Sequence, residues 1–308
     1  MIYTWGNDII FLVIKNKSKV ITVILDIKNR KRINVMKLQN LHTHSEFCDG
    51  RSTMEEMVES AIEKGFSSLG FSSHSYMSFS TGRSLRPEMK PAYLEKISTL
   101  KEKYKGIIDI YAGLEFEMLS EDDFKGYEYT IGSCHYFEMD GKKVNFDCSA
   151  KDVQNLVDTY FDGDGMKMVK EYYRLIAKLP EYHNFDIVGH FDIITKNNEK
   201  VFLFDENSKE YLDIAKEAIV ALCDKIKIFE INTGPIPRGY RTRAYPAKEL
   251  LKEIKLHGGL ITVSSDCHNK EHLDANFTDA FKLAKECGFD EIMIFNGKEF
   301  VPEKIVTD

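Results

Sequence analysis

From Met36 onward the chain repeats one arrangement. A short apolar run ends in a polar cluster, and a segment follows whose apolar residues recur every three or four positions. Runs at 37–42, 68–73, 109–115, 129–134, 185–190, 227–232 and 260–265 are bounded by Gly, Ser, Asn or Asp and predict seven strands. Helical periodicity between several of them predicts helices over 53–65, 91–104, 166–179, 208–223 and 246–257. Thr53, with Glu56 three residues later, carries the capping-box signature for the first of these. Pro91 and Pro246 suit a first helical turn. Strands alternating with helices imply a mainly parallel sheet covered by helices, an α/β fold for which one barrel fits the length. The stretch 138–165, with three glycines, reads as the longest irregular connection.

Residues 1–35 do not follow this arrangement. Their β-branched runs, Ile9–Ile14 and Val20–Leu25, alternate with Lys/Asn clusters and end in the basic stretch Lys28–Arg32. We read 1–35 as an N-terminal extension, open between a hairpin, a loose arm and an artefact of the start codon. Residues 36–308 form the compact domain.

The net charge of −7 over 308 residues offers no basic face for nucleic acid. An anionic substrate would therefore need local cations, either metals or a few placed arginines. Cysteines 48, 134, 148, 223, 267 and 287 lack paired spacing and read as reduced thiols, not a disulfide framework. No apolar run approaches the ~20 residues of a membrane span, and the six-residue run Ile9–Ile14, preceded by Asp8, makes no secretory signal. These features point to a cytoplasmic protein with neither nucleic acid nor membrane as partner; the oligomeric state stays open.

The chemically distinctive residues fall at one end of the strands. His42 and His44 close the first, His74 the second, Glu115 the third, His135 the fourth and His190 the fifth. The sixth ends in Glu230-Ile-Asn-Thr, and the seventh in Asp266-Cys-His268. In a parallel barrel the carboxyl ends of all strands converge on one rim, where active sites form. His-X-His and Asp-X-His place both side chains on one strand face. Any one histidine here is more simply a surface or core residue, and His183, His257 and His272, which close no strand, keep that reading. Six histidines joined by Glu115 and Asp266 at strand ends exceed what packing explains. Imidazole with carboxylate suits zinc, iron or manganese, and this many ligands exceeds the need of one ion. Cys134 and Cys267 point to the opposite faces, and Cys48 could approach a metal; inert thiols are the simpler reading of all three.

The segments His-Thr-His-Ser-Glu-Phe-Cys-Asp-Gly, Gly-Phe-Ser-Ser-His, Gly-Leu-Glu-Phe-Glu, Gly-Ser-Cys-His, Ile-Val-Gly-His-Phe-Asp, Glu-Ile-Asn-Thr-Gly and Ser-Ser-Asp-Cys-His together resemble the polymerase-and-histidinol-phosphatase (PHP) superfamily, most closely its monofunctional histidinol-phosphatase branch. The resemblance runs from about Met36 to the C-terminus and implies a distorted (β/α)7 barrel with three divalent metal ions, zinc, iron or manganese. It implies that His42, His44, Glu115 and Asp266 hold the first metal and the attacking hydroxide on it. Glu115 would bridge to a second metal held by His135 and His190, and Asp49, His74 and His268 would hold a third. The position of Asp49 is often histidine in relatives. Glu117 suits a supporting role.

The activity implied is hydrolysis of L-histidinol phosphate, a phosphoric monoester, in histidine biosynthesis. The alternative is another phosphoesterase of the superfamily, acting on nucleotides or other small phosphate esters. Two ions ~3.5–4 Å apart would lower the pKa of a bridging water and neutralise phosphoryl oxygens. Arg238, in the loop after the sixth strand, is the first choice for phosphate because its fork matches phosphate bidentately. Lys196 stands where the branch carries a second basic residue, and Arg83, with Arg86, could close over the site. A metal-dependent amidohydrolase shares the barrel but needs a catalytic lysine or an extra acid. A metal-holding domain without catalysis would show gaps in the ligand set.

Overall fold

The computed structural model of the chain describes residues 2–5, 9–16, 19–26, 31–32 and 36–307. The extension contributes β1 (Ile2–Trp5), β2 (Ile9–Asn16), β3 (Lys19–Asp26) and β4 (Lys31–Arg32), paired antiparallel in that order. Its connecting residues lie outside the described residues.

The chain continues through β5 (Gln39–Asn40), β6 (Ser68–His74), β7 (Asp109–Glu117), β8 (Tyr129–Ser133), the hairpin β9 (Tyr136–Met139) and β10 (Lys142–Asn145), β11 (Ile187–Val188), β12 (Ile228–Asn232), β13 (Leu260–Ser264) and the hairpin β14 (Glu291–Phe295) and β15 (Phe300–Lys304). The helices are α1 (Met54–Glu63), α2 (Lys90–Lys103), α3 (Ala150–Tyr160), α4 (Gly165–Ile176), α5 (Leu179–Tyr182), α6 (Lys209–Cys223), α7 (Lys248–Leu256) and α8 (Phe277–Glu286). Strands β5, β6, β7, β8, β11, β12 and β13 lie side by side in sequence order, all parallel. A parallel bridge between Thr43 and Cys267 and a 2.9 Å bond from His44 N–H to Cys267 O join the first strand to the last and close the barrel.

All seven expected barrel strands are present, and the five expected helices match within a few residues. The Thr53 hydroxyl accepts from Glu56 N–H, and the Glu56 side chain accepts from Thr53 N–H, completing the expected capping box. Pro246 differs: α7 starts at Lys248 with Ala247 as its N-cap, so the proline precedes the helix rather than opening it. The stretch 138–165 is not irregular. It holds the β9–β10 hairpin, turning at Asp140–Gly141, and α3, whose N-cap Ser149 accepts from Asp152 N–H.

Strand alternation divides the core in two. On β7, Ile110, Ala112, Leu114 and Phe116 face outward into the large apolar layer beneath the helices. Tyr111, by contrast, joins Leu41, Tyr129, Ile131, Ile187, Ile228 and Phe295 in a small cluster inside the barrel. Tyr129 fills the barrel because two neighbouring strands carry glycine opposite it. A Cβ on Gly113 would lie 2.1 Å from its ring, and one on Gly70 2.2 Å from its hydroxyl oxygen. The lower mouth is sealed by β14, whose Phe295 exchanges hydrogen bonds with the Gln39 side chain at 2.7 and 2.8 Å. Continuing upward, the same inward parity brings Glu115 and Glu117, His135, and Glu230 and Asn232 to the carboxyl-end rim. Buried polar groups at this density need partners or ligands.

Candidate metal centre

Every proposed metal ligand lies on that rim. The Nε2 atoms of His42 and His44 stand 3.3 and 3.5 Å from Glu115 Oε2, and 3.7 and 3.2 Å from Asp266 Oδ1. Across the barrel, His190 Nε2 lies 2.8 Å and His135 Nε2 3.5 Å from the other carboxylate oxygen, Glu115 Oε1. Glu115 thus presents one oxygen to each set, the geometry expected of a bridge. Asp49 Oδ1 lies 3.2 Å from His268 Nε2 and 3.5 Å from His74 Nε2, a third set.

Two details differ from the partition that the resemblance implies. His44 also reaches the third set, its Nδ1 3.8 Å from Asp49 Oδ1, and His74 Nδ1 lies 2.8 Å from Glu115 Oε2. Potential ligand atoms gather within 4.8 Å of one another as His44–Asp49–His74–His268, His42–Glu115–His190 and His42–His44–Asp266. Histidines 42 and 44 therefore stand between sets rather than in one.

Whether these residues fit metal ions is decided by their unpaired atoms. His42 Nε2, His44 Nε2, His74 Nε2, Glu115 Oε2 and Asp49 Oδ1 are all buried with no hydrogen-bond partner among the described residues. Leaving five such groups unmade would cost on the order of 1–3 kcal/mol each. All five point into the gathered sets, so divalent ions fit them.

Several outer contacts orient the rings. His42 Nδ1 faces Glu230 Oε2 at 2.9 Å, and Glu230 also accepts from His190 N–H at 2.6 Å and from the Ser264 hydroxyl. Glu117 Oε2 takes His135 Nδ1 at 3.0 Å and His135 N–H at 2.7 Å, the supporting role expected of it. Fixing one ring nitrogen by such a carboxylate turns the other toward the ion. His44 has no carboxylate in this role; Cys48 Sγ lies 3.4 Å from its Nδ1 instead. Cys134 and Cys267 are buried away from the ligands, as alternation requires.

Local backbone explains how loop residues reach the rim. Gly50 packs where a Cβ would lie 2.3 Å from Ser45 N, which lets the loop after His44 fold back and present Asp49. Asp266 takes a φ of 44°, in the left-handed region that favours glycine; strain of this kind concentrates at ligand positions.

Electrostatics follow from the crowding. Burial, with His268 and His74 beside it, pushes the His44 imidazole down to about 3, which keeps it neutral as a ligand must be. Burial alone would push the Glu115 carboxyl up, but His74 and His42 outweigh it and hold it well below the usual carboxylate range. Burial opposes charge on His42 too, yet Glu230, Glu115 and Asp266 raise its pKa well above the ordinary histidine value. The carboxylates therefore draw positive charge into the site, as protons or as metal ions.

A cavity of about 450 Å³ opens over the ligands. Arg238 lines it, with Nη2 2.8 Å from Asp266 Oδ2. Lys196 and Arg83 line it as well, and both pair with Asp147. Arg83 also reaches Asp49 at 3.2 Å. Arg86 pairs with Glu88 instead and is not among the lining residues. His183 stacks on Phe124, His257 lies near Glu253, and the half-buried His272 stands at the cavity wall outside every ligand set. Sequence reasoning placed Glu230 at a strand end without giving it a role, and it did not single out Asp147, in the stretch read as irregular, or Tyr245, just before the expected helix 246–257.

A closed parallel barrel with imidazoles and carboxylates gathered on its carboxyl-end rim is a polynuclear metal-binding barrel. The PHP domain model matches residues 40–234, and the chain belongs to that family. A protein of Lactococcus lactis named histidinol-phosphatase is 26% identical over 284 residues, covering 87% of this chain and 98% of its own length. One of the same name from Bacillus subtilis is 26% identical over 262 residues, covering 76% and 94%. A crystal structure of histidinol phosphate phosphatase from Lactococcus lactis, complexed with zinc, L-histidinol and phosphate, superposes with a TM-score of 0.65 at 24% identity, over 87% of this chain and all of that one. That likeness establishes the fold. Among the described residues, no helix is long and apolar enough to cross a membrane.

Proposed function

We propose that this chain is a metal-dependent phosphomonoesterase that hydrolyses L-histidinol phosphate to L-histidinol and phosphate, a step of histidine biosynthesis in the cytoplasm. The observation that carries the reading is Glu115, one carboxylate with an oxygen toward each of two ligand sets, beneath a cavity lined by Arg238, Lys196 and Arg83. Relatives named histidinol-phosphatase along most of the chain support the substrate.

His42, His44 and Asp266 with Glu115 would hold one ion, Glu115 with His135 and His190 a second, and Asp49, His74 and His268 a third. Zinc, iron or manganese suits this donor set. When bound, such ions supply Lewis-acid charge that neutralises phosphoryl oxygens and makes water acidic. Arg238 uses Nη2 on Asp266 and Nε on Gly234 O, so its Nη1 edge, 3.5 Å from His268 Nδ1, is the part that would meet the phosphoryl group. Lys196 and Arg83, both paired with Asp147, bring cations to the cavity wall without an uncompensated buried charge.

Phosphate release from histidinol phosphate, nucleotides and sugar phosphates should be compared on protein of measured metal content. Turnover favouring histidinol phosphate supports the reading. Preference for a nucleotide would move it to the other phosphoesterase class, and no release from any monoester by metal-loaded protein would overturn it.

A further inference from the structure

The loop that follows β12 starts and ends at one point. Asn232 N–H donates to Tyr245 O at 2.7 Å, and Tyr245 N–H donates to Asn232 O at 3.0 Å, an antiparallel bridge at the loop's base. Asn232 sits two residues beyond Glu230, and its amide reaches both Glu230 and Asp266. Tyr245 is therefore tied to the end of β12, whose Glu230 orients His42, and the same loop carries Arg238.

The Tyr245 ring packs in the apolar core, but its hydroxyl has no evident structural purpose. Tyr245 lines the cavity with Arg238 and Lys196, is 2% exposed, and its hydroxyl has no hydrogen-bond partner among the described residues. Other buried tyrosines nearby are satisfied: Tyr172 donates to Phe191 O, and Tyr173 and Tyr211 bond each other. A buried hydroxyl left unpaired is destabilising, and phenylalanine would fill the same space without that cost. The charged groups that act on the Tyr245 hydroxyl are Asp192 and Asp147 on one side of the balance, Arg238 and Arg241 on the other. Of the four, Asp147 and Arg238 line the cavity.

We infer that Tyr245 is a substrate-binding residue whose hydroxyl donates a hydrogen bond to a phosphoryl oxygen beside Arg238. This rests on the phosphoester reading of the site. A neutral donor suits the position, because phosphate already meets metal ions and arginine there, and a phenol donor adds direction without adding charge. The competing account is structural, with a water linking the hydroxyl to the unpaired Oδ1 of Asp192.

The test compares Tyr245→Phe with wild type, both metal-loaded and of measured metal content. The readouts are kcat/KM for histidinol phosphate, calorimetric binding of inorganic phosphate, and the melting temperature. The expected result is a kcat/KM lower by roughly tenfold to a hundredfold, weaker phosphate binding, unchanged metal content and a melting temperature that does not fall. Unchanged phosphate affinity overturns the inference, and a lowered melting temperature with unchanged affinity assigns the hydroxyl to Asp192. Phosphate binding also separates the two readings. If wild type binds phosphate but hydrolyses no histidinol phosphate, the activity fails, while weaker binding by Tyr245→Phe still supports the contact.

Discussion

Glu230 and His42 meet 2.9 Å apart, carboxylate Oε2 against ring Nδ1, both fully buried between β12 and the end of β5. The contact fixes which ring nitrogen carries the proton and leaves Nε2 for an ion. The same carboxylate holds His190 N–H, so a residue that is itself no ligand aligns histidines of two sets.

Glu230→Gln keeps the shape and removes the charge. Metal affinity is expected to fall by roughly tenfold to a hundredfold while far-UV circular dichroism stays native. Titrating metal into the stripped protein checks this, and unchanged affinity would show that Glu230 only packs.

Glu115→Gln acts on two sets at once. Neighbouring divalent ions repel, and the shared carboxylate offsets that repulsion. We expect lowered occupancy at both sites and near-abolished phosphate release with the fold retained. Full metal content measured by mass spectrometry would refute the bridging role.

Arg238→Ala removes a charge-assisted contact of ~1.5–3 kcal/mol, or roughly tenfold to more than a hundredfold in kcat/KM. Because Arg238 also holds Asp266 Oδ2 at 2.8 Å, metal content must be followed in parallel. We expect the metals to stay and kcat/KM to fall. Loss of metal in step with activity would mean that Arg238 acts through Asp266 instead.

The capping box of α1 gives a pH dependence of known sign. The Thr53 backbone N–H, Lys270 and the Thr53 hydroxyl lower the Glu56 carboxyl to about 2. A depressed carboxylate stabilises the fold above its unfolded value of about 4.5, and that contribution is lost as pH falls through about 2. In metal-stripped protein, the melting temperature of Glu56→Gln should lie below wild type at pH 6, and the gap should close as pH is lowered toward 2. A constant gap would mean that ionisation of Glu56 contributes nothing.

Much of this was legible in sequence because alternation and strand-end chemistry are local signals. His42, His74, Glu115, His135, His190 and Asp266 each close an apolar run, and a parallel barrel brings such positions together whatever the loops do. The hairpin at Asp140–Gly141 also had a local signature, Asp-Gly between alternating residues, but the surrounding polar residues masked it. The contacts of Glu230, Asp147 and Tyr245 were not legible for another reason. Their roles depend on what faces them across the barrel or from another loop, as with Glu230 against His42, and no spacing encodes that. Lys196 shows the reverse: its place was legible, but its pairing with Asp147 was not.

The barrel closes over a thin seam, where a two-residue first strand and a single bridge at Thr43 meet the last strand, and Asn40 reaches Ser265, 225 positions away. His42 and His44 stand on one side of that seam, Asp266 and His268 on the other. An ion gripping both sides would be a clasp on a long loop of the chain, one that the unfolded polypeptide lacks. Its binding energy therefore adds to folding. In a cell starved of metal, this protein would lose part of what keeps it shut along with its chemistry, and its abundance would follow metal supply.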